Sequence, residues 1–188
     1  QERIAADNAS LDLLVVTHVD ADHIEGVIKL LNQADLPAMP TDLWFNGWDH
    51  LHDGLGAVEG ELLSTQILER NLPWNETFDR RAVACRPSQP PPAIQLAGGM
   101  QITLLSPTLK ALGALVPKWD RVVRKAGLEP GKPVSRTHHA WPSDLLGGSP
   151  DIHMLASHRF RNDRTEANGS SIAFLAEYEG MACLFAAD

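Results

Sequence analysis

In the stretch VVTHVDADHIEG, residues 15–26, two histidines and two aspartates fall within six consecutive positions: His18, Asp20, Asp22 and His23. Carboxylates crowded in this way repel each other and resist any water-poor surroundings. A cation that neutralises them removes both penalties, and imidazole nitrogen with carboxylate oxygen is a donor set for divalent metals. In an extended loop side chains alternate between faces, so spacing by two lets His18, Asp20 and Asp22 converge. His23 comes off the adjoining turn and faces a neighbouring position. That arrangement serves two ions better than one. Paired ions of this kind stand ~3.5–4 Å apart and clamp the attacking and leaving oxygens of a hydrolysis. The competing reading makes Asp20 and Asp22 caps of the next helix and the histidines surface residues. One aspartate at a helix start is common, whereas two bracketed by histidines are not.

The elements around this cluster must position it. LDLLVVTH (11–18) is a nearly unbroken aliphatic run, which suits a strand covered on both faces. After it, Ile24, Val27, Ile28 and Leu31 follow helical spacing, which predicts a helix starting near Asp22. DLWFNGW (42–48) reads as a short strand ending at Gly47. A helix is expected over about 56–70, with Val58, Leu62, Leu63 and Ile67 on one stripe. AVACRP reads as a further strand and RPSQPPPA as a stiff extended connector. AIQLAGGMQITLLSP (93–107) predicts two strands about Gly98-Gly99. Residues 108–127 read as a helix interrupted by Pro117 and closed by Gly127. From 129 to 167 no period survives, and the segment is expected to be an irregular surface excursion. SSIAFLAEYEGMACLFAAD then gives two strands about Glu179-Gly180. Helices and strands interleave without internal repeats, so the class is α/β.

The 188 residues allow one sizeable core and one domain. A hydrophobic share of 44 % with 21 % charged residues excludes disorder. The net charge of −8 argues against a broadly basic nucleic-acid surface, but not against a nucleic-acid substrate at a metal site. Cys85 and Cys183 stand far apart and in no ligand spacing, which points to a reducing, cytoplasmic setting. No apolar run is long enough to span a membrane, and no membrane partner is expected. The chain opens at Gln1 and stops at Asp188 directly after an apolar strand, so the expectation is a piece of a longer protein.

The segment THVDADHIEGV resembles the signature of the metallo-β-lactamase superfamily, whose usual form is H-x-H-x-D-H at a strand-to-helix junction. This chain departs at Asp20, where most members carry a second histidine. The form with aspartate there is similar to the ComEC-like hydrolase branch. NGSSIAFLAEYEGMACLFAAD is similar to that branch's Asn-x-x-Ser strand, followed after a hairpin by a strand ending in Asp. The resemblance covers about residues 10–32 and 168–188, with ITLLSP as lesser support. It implies an αββα sandwich with metals at one edge, here without the family's strands before residue 11 and without the part after Asp188, which includes a late histidine. It also implies that His18 and Asp20 bind a first metal and Asp22 and His23 a second, with Asp188 bridging both. Asn168 stands near the place of the superfamily's third histidine, as a weak ligand, a substrate contact or a plain turn residue before Gly169.

The function expected is a binuclear metallohydrolase in which water, acidified by the metals to hydroxide, attacks phosphorus or a carbonyl carbon. Asp22 would orient that water or accept its proton. The resemblance favours a phosphodiester, whether nucleic acid or small molecule. A carboxylate in place of imidazole makes Mn²⁺ or Mg²⁺ competitive with Zn²⁺ for the two places. The alternatives are hydrolysis of a small ester, lactone or thioester, and a degenerate metal-binding module that serves a partner. WDHLHD (48–53) offers His50, His52 and Asp53 as another chelate, with His50 and His52 as candidate substrate or weak metal contacts. His138, His139, His153 and His158 lie in the irregular excursion and read as solvated or structural. The tryptophans read mainly as core and helix-packing residues rather than base-stacking ones.

Overall fold

The computed structural model describes residues 11–33, 36, 38–51, 58–134 and 165–187, with only the backbone of Ala21 and Asp22. Strand β1 (Leu11–Val15) has apolar side chains on both faces, and all five residues are half-buried. Leu14 and the following Val16 join a core built with the helices, while Leu13 and Val15 join a second core against the other sheet. β1 therefore lies between two layers, which is why its sequence shows no alternation. It pairs in parallel with β2 (Pro40–Trp44), from Leu11 opposite Pro40 to Val15 opposite Trp44. Parallel pairing needs a crossover, and helix α1 (Ala21–Leu31) supplies it with Ile24, Ile28 and Leu31 fully buried. Helix α2 (Val58–Glu69) packs on α1.

The second sheet is antiparallel, in the order β3 (Ala93–Gln95), β4 (Gln101–Ser106), β5 (Ala173–Tyr178) and β6 (Met181–Phe185). Ile102, Leu104, Phe174 and Ala176 face Trp44 across the space between the sheets. Both expected hairpins are present. Glu179 and Gly180 both have positive φ, 48° and 78°, as a two-residue turn between twisted strands requires. Every residue of β6 is exposed. Among the described residues the class is α/β, and no helix is long and apolar enough to cross a membrane.

Several expectations are corrected. The first strand ends at Val15 and the second at Trp44, short of His18 and Gly47. AVACRP forms no ladder strand, only an isolated bridge between Cys85 and Thr108. The Asn46 amide takes both backbone groups of Val83, accepting from its N–H at 2.8 Å and donating to its carbonyl at 3.0 Å. Nothing is left there for a neighbouring strand. Helix α3 (Leu109–Lys125) runs through Pro117 without a break. Pro117 and Gly113, whose carbonyl the proline cannot bond, are both exposed, so water can take that carbonyl. Gly127 closes α3 as expected: its N–H donates to the Arg124 carbonyl, and that of Leu128 to the Val123 carbonyl. Residues 135–164 of the expected excursion lie outside the described residues. Its end is a short helix, α4 (Glu166–Gly169), whose N-cap Thr165 accepts from the Asn168 N–H at 3.4 Å.

Helix α2 is buried from Gly60 to Ile67, well beyond the expected stripe, so its polar groups need partners. Glu61 accepts from the Trp119 indole N–H at 3.1 Å, and from the Gly131 N–H with both oxygens at 3.1 Å. A side chain at Gly60 would press on the Trp119 ring, 3.0 Å from where its Cβ would stand, so glycine lets the indole in. Burial pushes the Glu61 carboxyl up to about 7; the Gly131 bond opposes the rise and the charge of Asp49 adds to it. Because the folded state binds the extra proton, stability should fall as pH rises from about 4.5 to about 7. Above that window the cost is on the order of 1–3 kcal/mol. Glu61→Gln is therefore expected to match wild type near pH 4 and exceed it at pH 8, as read by denaturant unfolding across this range. A variant equally or less stable at pH 8 would contradict the assignment.

Candidate metal centre

The strand-to-helix junction begins where β1 stops. The Val16 N–H donates to the Trp44 carbonyl at 2.9 Å and fixes the end of the first sheet. The next carbonyl, that of Thr17, accepts from the Ile172 N–H at 2.9 Å. That bond brings the chain just after the 168–171 turn, at the start of β5, against Thr17. The chain then enters α1, with the Asp20 carbonyl accepting from the His23 and Ile24 N–H groups at 3.0 and 3.1 Å.

His18 is buried, its side chain shut off from solvent, while the Asp20 side chain is 45 % exposed. Asp20 holds the N-cap position of α1 in extended conformation, yet its side chain bonds no helix N–H. Its Oδ2 stands instead 3.8 Å from His18 Nε2. The capping explanation thus fails for the one aspartate placed to cap. The His23 ring lies 4.1 Å from the His18 ring, centroid to centroid, and tilted 45° to it. Thr17 Oγ1 is 3.1 Å from His18 Nδ1 and 3.4 Å from His23 Nδ1.

Two donors to one cation at ~2.0–2.2 Å each must lie within about 4.4 Å of each other. His18 Nε2 and Asp20 Oδ2 meet that limit at 3.8 Å. A second sign comes from the adjoining turn. Asn168 Oδ1 is buried with no hydrogen-bond partner among the described residues, and so is Ser171 Oγ. An oxygen shut from water without a donor costs about 1–3 kcal/mol, which a cation or a bound ligand would relieve. His18 Nε2 and Asp20 Oδ2 thus offer two donors within reach of one divalent ion. Among the described residues no group of three or more His, Cys, Asp or Glu is placed to hold one. The Asp22 side chain and Asp188 lie outside the described residues, so the proposed second position and the bridging carboxylate do too.

The histidines elsewhere divide differently. His50, on the tight turn Trp48–His50, is buried edge-on against Trp74 at 4.5 Å rather than carried on an open loop. His52, Asp53 and the histidines at 138, 139, 153 and 158 lie outside the described residues. Trp44, Trp74 and Trp119 are core residues, as expected. Two residues escaped a reading that looked for metal donors: Thr17, which passes as an ordinary strand former, and Ser171. The only sequence signal for Thr17 was a hydroxyl between an aliphatic run and a histidine. No family model matches the chain, and no curated protein or solved structure does.

Proposed function

We propose that the Thr17–His23 junction is the metal-holding end of a hydrolase whose substrate is a phosphodiester. The observation that carries this reading is the Asp20 carboxylate, turned away from the helix it should cap and towards His18 Nε2. We also read the fold as the middle part of an αββα sandwich: helices pack on one side of β1–β2, and the antiparallel sheet on the other. The junction then sits at one end of the strands.

In this reading His18 and Asp20 hold one divalent ion, and Asp22 and His23 a second, with Asp188 shared and Asn168 Oδ1 near by. Cations held there would acidify water and offset the negative charge that builds on the phosphate oxygens. The work left to the chain is orientation and proton transfer. Asp22, on the first turn of α1, is the carboxylate assigned to orient the attacking water and take its proton. Buried His18 keeps water off one side of the site, while half-exposed Asp20 leaves the other side open to substrate. Asp20 favours Mn²⁺ or Mg²⁺ over what an imidazole would select.

The test pairs substrates with metals: bis(p-nitrophenyl) phosphate and single-stranded DNA beside an ester and a lactone, each with Mn²⁺ and Zn²⁺. Phosphodiester turnover that needs the metal is the expected result. Cleavage of ester or lactone alone would reassign the substrate class. Metal binding without any turnover would favour a partner-binding module.

Two variants sharpen the test. Asp22→Ala should lose about 10²-fold or more in rate, the size expected when a group handling a proton is removed. Asp20→His should keep metal binding and shift the preferred ion from Mn²⁺ towards Zn²⁺, measured as the ratio of rates in the two metals. Wild-type activity in Asp22→Ala would show the site to be wrong. An unmoved metal preference in Asp20→His would remove Asp20 from the ligand set.

A further inference from the structure

Helix α3 carries five cations, Lys110, Lys118, Arg121, Arg124 and Lys125, against the single carboxylate of Asp120, in a chain whose net charge is −8. At 3.6 residues per turn the five fall within about a third of the helix circumference, opposite the buried Leu112, Leu115, Trp119 and Val123. All five are exposed. Arg124 is paired with Asp120 one turn back, and Lys118 with Glu166 at 3.7 Å. Among the described residues Lys110, Arg121 and Lys125 make no ion pair. Arg121 has Lys118 and Arg124 three residues away and Lys125 four away, spacings at which like charges oppose the helix. From Lys110 to Lys125 the stripe runs ~22 Å along the helix axis.

The stripe borders the proposed metal site. Glu166, the partner of Lys118, opens helix α4, which packs on α3 and carries Asn168. On the buried face of α3, the Trp119 ring lies 3.0 Å from where a Cβ of Gly60 would stand, and Val19, the residue after His18, lies 3.5 Å from the same point. We propose that the exposed face of α3 is a docking surface for the sugar–phosphate backbone of a nucleic-acid strand, which it holds beside the junction. The inference rests on the proposed phosphodiesterase reading and narrows its substrate to a polynucleotide. Cations ranged along one line complement a row of phosphates by charge alone, so the contact is indifferent to base sequence. The net charge of −8 does not oppose it, because salt screens charges more than about 10 Å away and leaves the local stripe to decide. A membrane surface fits less well. A helix lying on a bilayer buries its apolar face there, whereas the apolar face of α3 is committed to the core and only Leu109 and Val122 stand exposed.

Docking can be measured without metal, which separates this inference from the hydrolase reading. A fluorescein-labelled oligo(dT) is titrated with the protein in EDTA, and its anisotropy is followed at several salt concentrations. Wild type should bind, with log Kd rising against log salt. The triple variant Lys110→Gln, Arg121→Gln, Lys125→Gln should bind more than about tenfold more weakly at low salt, with a slope lower by about 2, at ~0.7 per phosphate contact on a single strand. A second triple variant, Lys29→Gln, Arg80→Gln, Arg81→Gln, makes the same change in net charge on other elements and should bind like wild type. Wild type that binds no oligo(dT), or binds it without salt dependence, overturns the proposal whether or not any variant folds. So does a stripe variant that binds like wild type, or an equal loss in both triple variants. Wild type that sediments with phosphatidylserine vesicles and leaves oligo(dT) free would overturn it in favour of a membrane surface. Docking through the stripe with no phosphodiester turnover in Mn²⁺ would sink the hydrolase reading and leave the docking surface standing. Turnover of bis(p-nitrophenyl) phosphate without oligo(dT) binding would do the reverse.

Discussion

The bond from the Ile172 N–H to the Thr17 carbonyl is the point at which the two sheets become one object. On its first-sheet side it continues the end of β1, whose position is already set by the pairing of Val16 with Trp44. On the other side it lies at the start of β5, the strand that holds β4 and β6 together. Between the sheets, Trp44, Ile172 and Phe174 fill the space that this contact closes. The position of His18 and its neighbours follows from that closure. His18 is buried one residue after a carbonyl tied to the opposite sheet, and the same bond brings the Asn168–Ser171 turn up to Thr17.

A few buried polar side chains keep the rest of the first sheet in register. Asp42, on β2, accepts from the Glu76 and Thr77 N–H groups at 3.0 Å and from the Trp44 indole at 2.9 Å. Asn75, fully buried with positive φ, binds both backbone groups of Phe45 and the carbonyl of Arg81. Hydrophobic burial alone would tolerate a slip of β2 along its neighbours, since apolar residues lie on both of its faces. These side chains would not: a slip would leave buried donors and acceptors unmatched, at about 1–3 kcal/mol each. Specific hydrogen bonding therefore decides the alignment that apolar packing leaves open.

What the sequence disclosed follows the same division. The covered strand, the helix after it and both hairpins were legible because period, glycine placement and turn chemistry are local. The misreadings arose from partners far along the chain. AVACRP has strand composition, but the Asn46 amide occupies Val83 in place of a ladder. Pro117 has the composition of a break, yet it stands on an exposed face where water can replace the lost bond. In the site, residue types announced the cluster of His18, Asp20 and His23. The direction of the Asp20 carboxylate and the shared contact of Thr17 were not legible, since each depends on where two side chains meet in space.

Strand β6 carries a consequence for how the molecule behaves in bulk. Met181, Ala182, Cys183, Leu184 and Phe185 include no charge and no proline, and the pairing with β5 runs without a bulge. Among the described residues no strand covers its outer edge. Natural sheets commonly guard such an edge with lysine, proline or a local twist. Among the described residues that guard is missing, while Met181 is 76 % and Leu184 60 % exposed. The edge is a ready template for strand addition between molecules. The net charge of −8 gives only a diffuse repulsion that salt screens. High ionic strength, by screening that repulsion, therefore favours pairing of molecules through this edge.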